Sequence, residues 1–433
     1  MVESEASIGP AQSDLDKCVH CGLCLNACPT YRELGVEMDS PRGRIYQINQ
    51  IVNGGPLTDS NILHLDLCLA CRGCESACPS GVPYGRIIEA ARARIRSQRK
   101  PSASGRAAQA LVFRHLLPSR AGLQLAGAAL YAYQASGLQR LVRATGILKL
   151  FGKVAALDAL SPTAEIPFFY SKIGKTFPAD GKRRYRVAFL AGCIANVAFA
   201  RLNEATVRVL QRNGCEVVIP GGQTCCGALH VHSGLKSEAQ ALARTNIDAV
   251  LAEPFDAILT NAAGCGSTLK EYDELLEYDP EYSSRARQFT ENVKDITEFL
   301  ASIHLNSEMA PLNVTVTYQD SCHLAHGQKI RQAPRKLLKA IPGLTFREMP
   351  MADLCCGSAG IYNVLHTEMA MQILQGKMEK IAVTQASVIA TANPGCMLQL
   401  AAGARLYGSA QRVVHVVELL DEAYRGVNRV AAS

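Results

Sequence analysis

The 433-residue sequence has no tryptophan, and aromatic residues make up only 6% of it. An apolar segment is also missing near its start, where Met1-Val-Glu-Ser-Glu-Ala-Ser is polar and acidic and does not resemble an export signal. Without export, the 17 cysteines are expected to face a reducing cytosol. Disulfides are therefore not expected, and the cysteines are predicted to serve as metal ligands.

A dinucleotide fingerprint is absent as well. No G-x-G-x-x-G follows a predicted strand, so neither a flavin nor a nicotinamide is expected on this chain. Hydride removal from a substrate needs an organic two-electron cofactor. The chain is therefore not expected to carry out such a reaction by itself.

Acidic residues are missing from one long stretch. Residues 90–157 contain twelve Lys and Arg and no Asp or Glu, whereas the whole chain carries a net charge of +7. A block of one sign is expected to face a counter-surface. A solvated helical face, an acidic partner subunit and anionic lipid head groups are the three interpretations. Nucleic acid is not expected, because the stretch has no binding motif and no interleaved stacking aromatics.

Within this block, residues 121–139 carry no charge, and their length of 19 matches a membrane span. Three Gly, three Gln and one Ser make the segment too polar for that assignment. The sequence predicts instead a surface helix that docks on a partner or lies in the lipid interface.

The first cysteines form two matching runs, Cys18-Val-His-Cys21-Gly-Leu-Cys24-Leu-Asn-Ala-Cys28-Pro29 and Cys68-Leu-Ala-Cys71-Arg-Gly-Cys74-Glu-Ser-Ala-Cys78-Pro79. In two-cluster ferredoxins, three cysteines of such a run hold one [4Fe–4S] cluster and the fourth ligates the other cluster. Zinc fits poorly, because no ligating histidine accompanies the two four-cysteine runs. The predicted ligands are Cys18, Cys21, Cys24 and Cys78 for the first cluster and Cys68, Cys71, Cys74 and Cys28 for the second.

The chain is too long for one core, and its patterns predict several domains. We expect an N-terminal arm at residues 1–16, a mostly helical two-cluster ferredoxin-type domain at 17–100 and a basic helical connector at 101–180. Ser40 followed by Pro41 marks a helix start, and residues 83–99 repeat apolar side chains with a helical period. Arg42 and Arg44 are expected to be ordinary exposed arginines, the alternative being that they raise a cluster potential or dock a partner.

The last 250 residues contain an internal repeat with matching offsets of 129 to 131 residues. Strand-like runs alternate with helical stretches, and the runs end shortly before cysteines. This predicts two tandem α/β domains with mostly parallel sheets, at residues 181–310 and 311–433, so that the whole chain is an α+β multidomain protein. Sites in such sheets form beyond the carboxyl ends of strands. The repeated residues are Cys193, Cys225-Cys226-Gly227 and Cys265, then Cys322, Cys355-Cys356-Gly357 and Cys396.

Each repeat thus offers four soft ligands for a further cluster or for zinc, and the glycine after each cysteine pair permits tight curvature around it. The candidates are Cys193, Cys225, Cys226 and Cys265 in the first repeat and Cys322, Cys355, Cys356 and Cys396 in the second. Nearby histidines are expected to be hydrogen-bonded structural residues, the alternatives being ligands or proton relays. They are His230, His232, His323 and His326. Cys215 has no counterpart and is expected in the core.

These motifs resemble the iron–sulfur subunits of bacterial glycolate oxidase, more properly glycolate dehydrogenase. The resemblance covers nearly the whole chain, through CVHCGLCLNACPTY, SPRGRIYQINQ, CLACRGCESACPSGVPY, CCGALH, AAGCGSTLKEY, LCCGSAGIYNV and TANPGC. The Cys-Cys-Gly domains are also similar to those of heterodisulfide reductase and of the anaerobic glycerol-3-phosphate dehydrogenase iron–sulfur subunit. In heterodisulfide reductase a further cysteine, three residues after the last one, joins a noncubane cluster. Thr268 and Gln399 stand at those positions here, so the same cluster is not implied.

The resemblance implies an electron-transfer subunit that is inactive toward glycolate alone. FAD-binding partner subunits would oxidise glycolate to glyoxylate, and this chain would relay the electrons toward quinone or another acceptor. Together with the basic block, it implies a cytoplasmic complex attached peripherally to the cytoplasmic face of the inner membrane. The alternatives are a subunit like those of heterodisulfide reductase or anaerobic glycerol-3-phosphate dehydrogenase, and a cluster- or zinc-binding scaffold or regulator.

Overall fold

The computed structural model describes residues 9–99, 102–148, 158, 160–407 and 411–430. Its first part is a helical module with short 3₁₀ turns at Leu25–Ala27 and Glu37–Asp39. Ser40 Oγ accepts a hydrogen bond from the Gly43 N–H at 3.0 Å and Pro41 opens the next helix, which confirms the predicted helix start. The helices are α1 (Gln12–Leu15), α2 (Pro29–Leu34), α3 (Pro41–Val52), α4 (Asp59–Asp66), α5 (Gly73–Ser76) and α6 (Tyr84–Gln98).

Residues 1–8 of the expected N-terminal arm lie outside the described residues, while Leu15 of α1 is buried in the core of the helical module. Asp14 accepts hydrogen bonds from Lys17 and Arg86, so this part of the chain is bound to the module.

The connector consists of α7 (Ala103–Gln109), a π-helical segment (Ala110–Leu116), α8 (Arg120–Ala135) and α9 (Leu138–Thr145). Helix α9 ends at Thr145, and residues 149–157 of the predicted helical connector lie outside the described part of the chain. A Cβ at Gly127 would lie 2.1 Å from a Val197 methyl carbon, so only glycine permits this close packing of α8 against the following domain. Within the described ranges, no helix has the length and apolarity needed to cross a membrane.

The first repeat folds as a five-stranded sheet in the order β1-β3-β2-β4-β5, in which β1 alone is antiparallel to its neighbour. Its central strands are apolar on both faces because helices cover both sides. The strands are β1 (Thr176–Phe177), β2 (Tyr185–Phe189), β3 (Cys215–Val218), β4 (Ala257–Thr260) and β5 (Val293–Asp295). The helices are α10 (Ala195–Ala198), α11 (Ala200–Arg212), α12 (Ala228–His232), α13 (Lys236–Val250), α14 (Ala263–Leu269), α15 (Tyr272–Leu275), α16 (Ser283–Asn292) and α17 (Ile296–Ser302), after a 3₁₀ turn at Phe169–Lys172.

The second repeat is a parallel sheet in the order β7-β6-β8-β9, which is the order of the last four strands of the first repeat. The two repeats confirm the predicted α/β architecture. The strands are β6 (Thr315–Tyr318), β7 (Thr345–Arg347), β8 (Val388–Thr391) and β9 (Arg412–His415). The helices are α18 (Gln332–Ala340), α19 (Tyr362–Leu365), α20 (Thr367–Val383), α21 (Pro394–Leu406) and α22 (Val416–Val430), with a π-helical turn at His323–Gly327.

One hydrophobic core runs through both repeats. It joins Phe189 and Leu202 of the first repeat to Tyr318 and Leu420 of the second. Helix α11 packs against α22, and Arg208 donates two hydrogen bonds to the Asp421 carboxylate, at 2.8 and 2.7 Å. Cys215, predicted to be a core residue, is fully buried there.

Candidate metal centres

Four cysteines from the two ends of the helical module surround one pocket of about 280 Å³. They are Cys18, Cys21, Cys24 and Cys78, the set expected from the crossed pattern. Left-handed backbone at His20 (φ 53°) and Gly22 (φ 83°) turns the first three cysteines to one side of the loop. Cys21 is exposed, so this pocket lies at the molecular surface.

The other four cysteines of the two runs line a second pocket of about 290 Å³, and Cys28, Cys68 and Cys74 are buried. The set is Cys28, Cys68, Cys71 and Cys74, again as the crossed pattern predicts. Ala70 (φ 50°) and Arg72 (φ 62°) repeat the left-handed turns of the first loop. The structure thus places Cys28, which belongs to the first run in sequence, among the cysteines of the second run.

Both pockets fit a thiolate-bound iron–sulfur cluster. Each is lined by four soft sulfur ligands, and N–H groups point at the sulfurs, as from Ala70 N to Cys68 Sγ at 3.4 Å. Such a cluster, when bound, would accept and release one electron at a time. Burial raises the pKa of Cys24 to about 11 and that of Cys74 well above its ordinary value. Both thiols are therefore protonated at neutral pH without a metal, and ligation releases protons.

Arg44 is not the exposed arginine that we expected. Its side chain is 1% exposed, and Nη1 donates to Cys28 Sγ at 3.8 Å. Its Nε donates to the His64 carbonyl oxygen at 2.7 Å, and Nη2 donates to Thr30 Oγ1 at 3.0 Å and to Asp39 Oδ1 at 3.3 Å. Helical periodicity could not reveal this, because the groups that surround Arg44 come from two other segments of the chain. Arg42, in contrast, remains partly exposed and pairs with Glu37.

The cysteines of the first repeat follow β2, β3 and β4, at the carboxyl edge of the sheet as predicted. Cys193 and Cys225 have their sulfurs 3.5 Å apart, and this contact, with burial, raises the pKa of Cys193 well above its ordinary value. Gly227 adopts φ 82°, which lets the backbone turn sharply after the cysteine pair. Cys226 and Cys265 pack together in the core beneath this site.

In the second repeat the corresponding cysteines are all buried, namely Cys322, Cys355, Cys356 and Cys396. Asn393 Nδ2 donates a hydrogen bond to Cys396 Sγ at 3.5 Å, and the Gly357 N–H donates one to Cys355 Sγ at the same distance. Among the described residues, no group of three or more His, Cys, Asp or Glu is arranged to hold a single metal ion.

The two repeat sites have different surroundings. Cys71 of the second pocket packs against the buried cluster that contains Cys322 and Cys355, so the second pocket and the second-repeat site adjoin. Cys193 of the first repeat packs instead against Leu123 of α8 and the aromatic ring of Tyr170.

Sequence reasoning missed Lys377, which is 2% exposed and donates to the carbonyl oxygens of Met351 and Ala352 at 3.0 and 3.3 Å. Burial lowers its pKa to about 8, although the nearby thiols of Cys356 and Cys355 oppose that shift. The corresponding residue of the first repeat, also 21 positions after its cysteine pair, is the buried Ile247. A charged residue at a core position of one repeat was the signal available in the sequence.

All four histidines are hydrogen-bonded, as expected. His230 Nε2 lies 2.8 Å from the Phe113 carbonyl oxygen, His232 Nδ1 2.9 Å from Glu89 Oε1, and His326 Nδ1 2.8 Å from Ser76 Oγ. His323 stacks on His232 with ring centroids 5.1 Å apart, and its Nδ1 lies 3.9 Å from Cys322 Sγ. The histidines therefore join the helical module and the connector to the two repeats.

Thr268 and Gln399, at the positions where heterodisulfide reductase has a further cysteine, are both buried. Gln399 accepts a hydrogen bond from Asn363 at 3.0 Å and donates to the Ala370 carbonyl oxygen at 3.3 Å. Its amide is thus engaged within the second repeat.

Several arginines of the basic block bind groups within the chain. Arg92 donates to the carbonyl oxygens of Cys68 and His232 at 2.6 and 3.1 Å, and Arg96 donates to that of Ser233. Further along, Arg114 pairs with Glu238, Arg120 with the Tyr170 carbonyl and Arg143 with Asp158. The interpretation of the block as a solvated helical face is therefore wrong for the partly buried Arg92 and Arg96, whereas Arg114, Arg120 and Arg143 stay exposed to solvent while they pair.

The chain matches three kinds of protein family. Residues 14–82 match the 4Fe-4S dicluster domain, residues 104–161 match the linker region of glycolate oxidase iron-sulfur subunits, and residues 187–270 and 316–401 each match the cysteine-rich domain. It is 42% identical to the probable glycolate oxidase iron-sulfur subunit of Bacillus subtilis, over 95% of this chain and 94% of that protein. The Escherichia coli glycolate oxidase iron-sulfur subunit is 32% identical over 95% of both chains. Lactate utilization protein A of Oceanobacillus iheyensis is 28% identical over 56% of this chain and 98% of that protein.

Proposed function

The chain belongs to the family of glycolate oxidase iron–sulfur subunits, and from this premise we propose that it relays electrons removed from glycolate by partner subunits. The family places it among the iron–sulfur electron-transfer subunits of an oxidoreductase complex. The observation that carries the proposal is the pair of four-cysteine pockets, one at the surface and one buried against the second repeat.

We propose that Cys18, Cys21, Cys24 and Cys78 ligate one [4Fe–4S] cluster and that Cys28, Cys68, Cys71 and Cys74 ligate another. The exposed position of Cys21 suits exchange of electrons with a partner. The packing of Cys71 against Cys322 and Cys355 suits onward transfer into the second repeat, where the four cysteines are candidate ligands of a further cluster.

The partners that we propose are FAD-binding subunits, since this sequence has no dinucleotide fingerprint of its own. Affinity purification of the tagged chain at native expression tests this. Co-elution of flavin-containing subunits with glycolate-dependent dye reduction is the expected result. Recovery of the chain with its clusters but without a flavoprotein would contradict the proposal and favour a scaffold or regulator. Comparing glycolate with lactate would assign the substrate, which the partner subunits select.

We further propose peripheral attachment to the cytoplasmic face of the inner membrane and quinone as the acceptor. The connector exposes large apolar side chains next to cations, among them Leu125 (75% exposed), Leu141 (61%) and Arg140. Apolar insertion combined with about 1 kcal/mol per well-placed cation suits an anionic membrane surface.

The test is sedimentation of the purified complex with vesicles of anionic and of neutral lipid. Leu125→Glu with Leu141→Glu should abolish binding to anionic vesicles, whereas Val383→Glu, at a 72% exposed position of the second repeat, should not. High salt should release the wild-type complex. Loss of the flavin subunits from the connector variant would instead identify this surface as a subunit interface.

A further inference from the structure

We propose that Arg44 and Tyr84 set the reduction potential of the second cluster, by stabilising its reduced form inside a buried site. The inference rests on the proposed presence of that cluster, and assigns to two residues of this chain the task of keeping a buried electron carrier reducible.

Burial alone would make the second pocket a poor place for an added electron. Cys28 and Cys68 are each 6% exposed and Cys74 is 8% exposed, whereas Cys21 of the first pocket is exposed. Reduction adds one negative charge to a group that thiolates already make negative, and a low-dielectric site disfavours that charge. Without compensation, transfer from the exposed to the buried cluster would be uphill.

Arg44 provides one compensation. Its Nη1 donates to Cys28 Sγ at 3.8 Å, while Nη2 binds the Asp39 carboxylate at 3.3 Å. Asp39 offsets the cost of burying the guanidinium, yet the ion pair presents its positive end to the sulfur. Hydrogen bonds to the sulfurs and nearby charge are the protein's means of raising a cluster potential.

Tyr84 provides a second compensation for the buried negative charge. Its buried hydroxyl donates to Cys68 Sγ at 3.6 Å, from the start of α6. A hydrogen bond to a charged acceptor is strengthened where water is excluded, because the local dielectric is low. Two ligands of the buried pocket therefore each receive a side-chain donor.

The first pocket is built differently, which provides a matched control. Its sulfurs of Cys18 and Cys24 receive backbone N–H groups, from His20 and Arg42. The Arg42 guanidinium donates instead to Glu37 Oε1 at 2.7 Å and to the His20 carbonyl oxygen at 3.0 Å. Arg42 stands two residues before Arg44 on the same helix, and its guanidinium carries the same charge but donates no hydrogen bond to a cysteine sulfur.

The experiment is a redox titration of the anaerobically purified full-length chain, monitored by EPR, for wild type, Tyr84→Phe, Arg44→Gln and Arg42→Gln. Tyr84→Phe should lower the midpoint of one of the two reduction steps. At fixed applied potential, the ratio of reduced to oxidised cluster should fall up to about tenfold, since a charged hydrogen bond contributes on the order of 1.5 kcal/mol. A tenfold change in this ratio corresponds to a shift of about 59 mV in the midpoint potential of a one-electron couple. Arg44→Gln should lower the same step, and Arg42→Gln should leave it unchanged.

Iron and sulfide analysis accompanies every titration. If the Arg44→Gln chain loses half of its iron, Arg44 also holds the pocket together. The effect on the midpoint potential is then judged from Tyr84→Phe, which removes a single oxygen atom. If the Tyr84→Phe chain keeps all of its iron and both midpoint potentials are unchanged, the proposal is overturned. A raised midpoint potential in this variant also overturns it. Absence of cluster signals from the wild-type chain would overturn the proposed function itself, and that result is visible before any variant is compared.

Discussion

Cys28 shows how one residue ties two distant segments together. It is the fourth cysteine of the first run, yet its side chain lies among Cys68, Cys71 and Cys74, beside Arg44 and Thr30. Pro29 opens α2 directly after it, and this fixes the direction in which the chain leaves the pocket.

We expect Cys28→Ala to remove iron from the second pocket and to spare the first. The anaerobically purified chain should drop from about eight irons to about four in the helical module, because a cubane holds four. Cys215→Ala is the control, since Cys215 is buried in the first repeat away from both pockets. It should keep its iron at a stability cost on the order of 1 kcal/mol. Loss of the surface cluster from Cys28→Ala would contradict the crossed arrangement.

Lys377 gives a pH-dependent prediction. Its pKa in the folded chain is about 8, below the ordinary 10.5, so the unfolded chain binds more protons between these values. Stability should therefore rise with pH from about 8 to about 10.5, by up to about 3 kcal/mol, relative to Lys377→Met. Unfolding of both chains by denaturant across this pH range measures the difference. Parallel curves for the two chains would show that the ammonium is not destabilised by burial.

At the scale of elements, α6 carries several of the contacts that hold the helical module on the first repeat. Arg92 bridges the carbonyl oxygens of Cys68 in one module and His232 in the other, and Arg96 reaches Ser233. Arg92 and Arg96, for which a solvated helical face was one of three interpretations, thus form an interface within the molecule.

Arg92→Ala should loosen this interface, because it leaves the carbonyl oxygens of Leu65, Cys68 and His232 without their cationic donor, at a cost of about 2 kcal/mol. Arg99→Ala, which removes an exposed ion pair between the residue at the end of α6 and Asp59 of α4, should cost less than about 1 kcal/mol. Hydrogen exchange of α6 and α12 reports the loosening. Equal protection in the two variants would show that the Arg92 contacts do not hold the interface.

Much of the element pattern could be predicted locally. Ser40 and Pro41 specify a helix start through their own backbone preferences, and the apolar runs before Cys265 and Cys396 specify buried strands. The burial of Arg44 and the hydrogen bonds of Arg92 within the molecule could not be predicted locally. Both depend on carbonyl and hydroxyl groups that tertiary folding brings from other segments. The cysteine sets could be identified from the sequence because their spacing repeats, whereas no repeated spacing marks Lys377.

At the scale of the whole molecule, the pockets and the fold should stabilise each other. The core of the helical module is formed largely around the cysteines of the two pockets, among them Cys68 and Cys74. Metal bound to the folded state alone contributes its binding energy to folding. Chelation of iron should therefore melt the helices of residues 9–99 while the two sheets persist, which circular dichroism and hydrogen exchange would separate. Simultaneous loss of both parts would show that the repeats also depend on bound metal.

The matching strand orders of the two sheets, and the core that they share, have a consequence for how the halves associate. Joined in one chain, they meet at an effective concentration in the millimolar range, so their pairing does not vary with protein abundance as that of two separate subunits would. A symmetric pair of separate chains must also carry every substitution twice. The tether removes that constraint, so that one half can bury an ammonium at Lys377 while the other keeps the aliphatic Ile247.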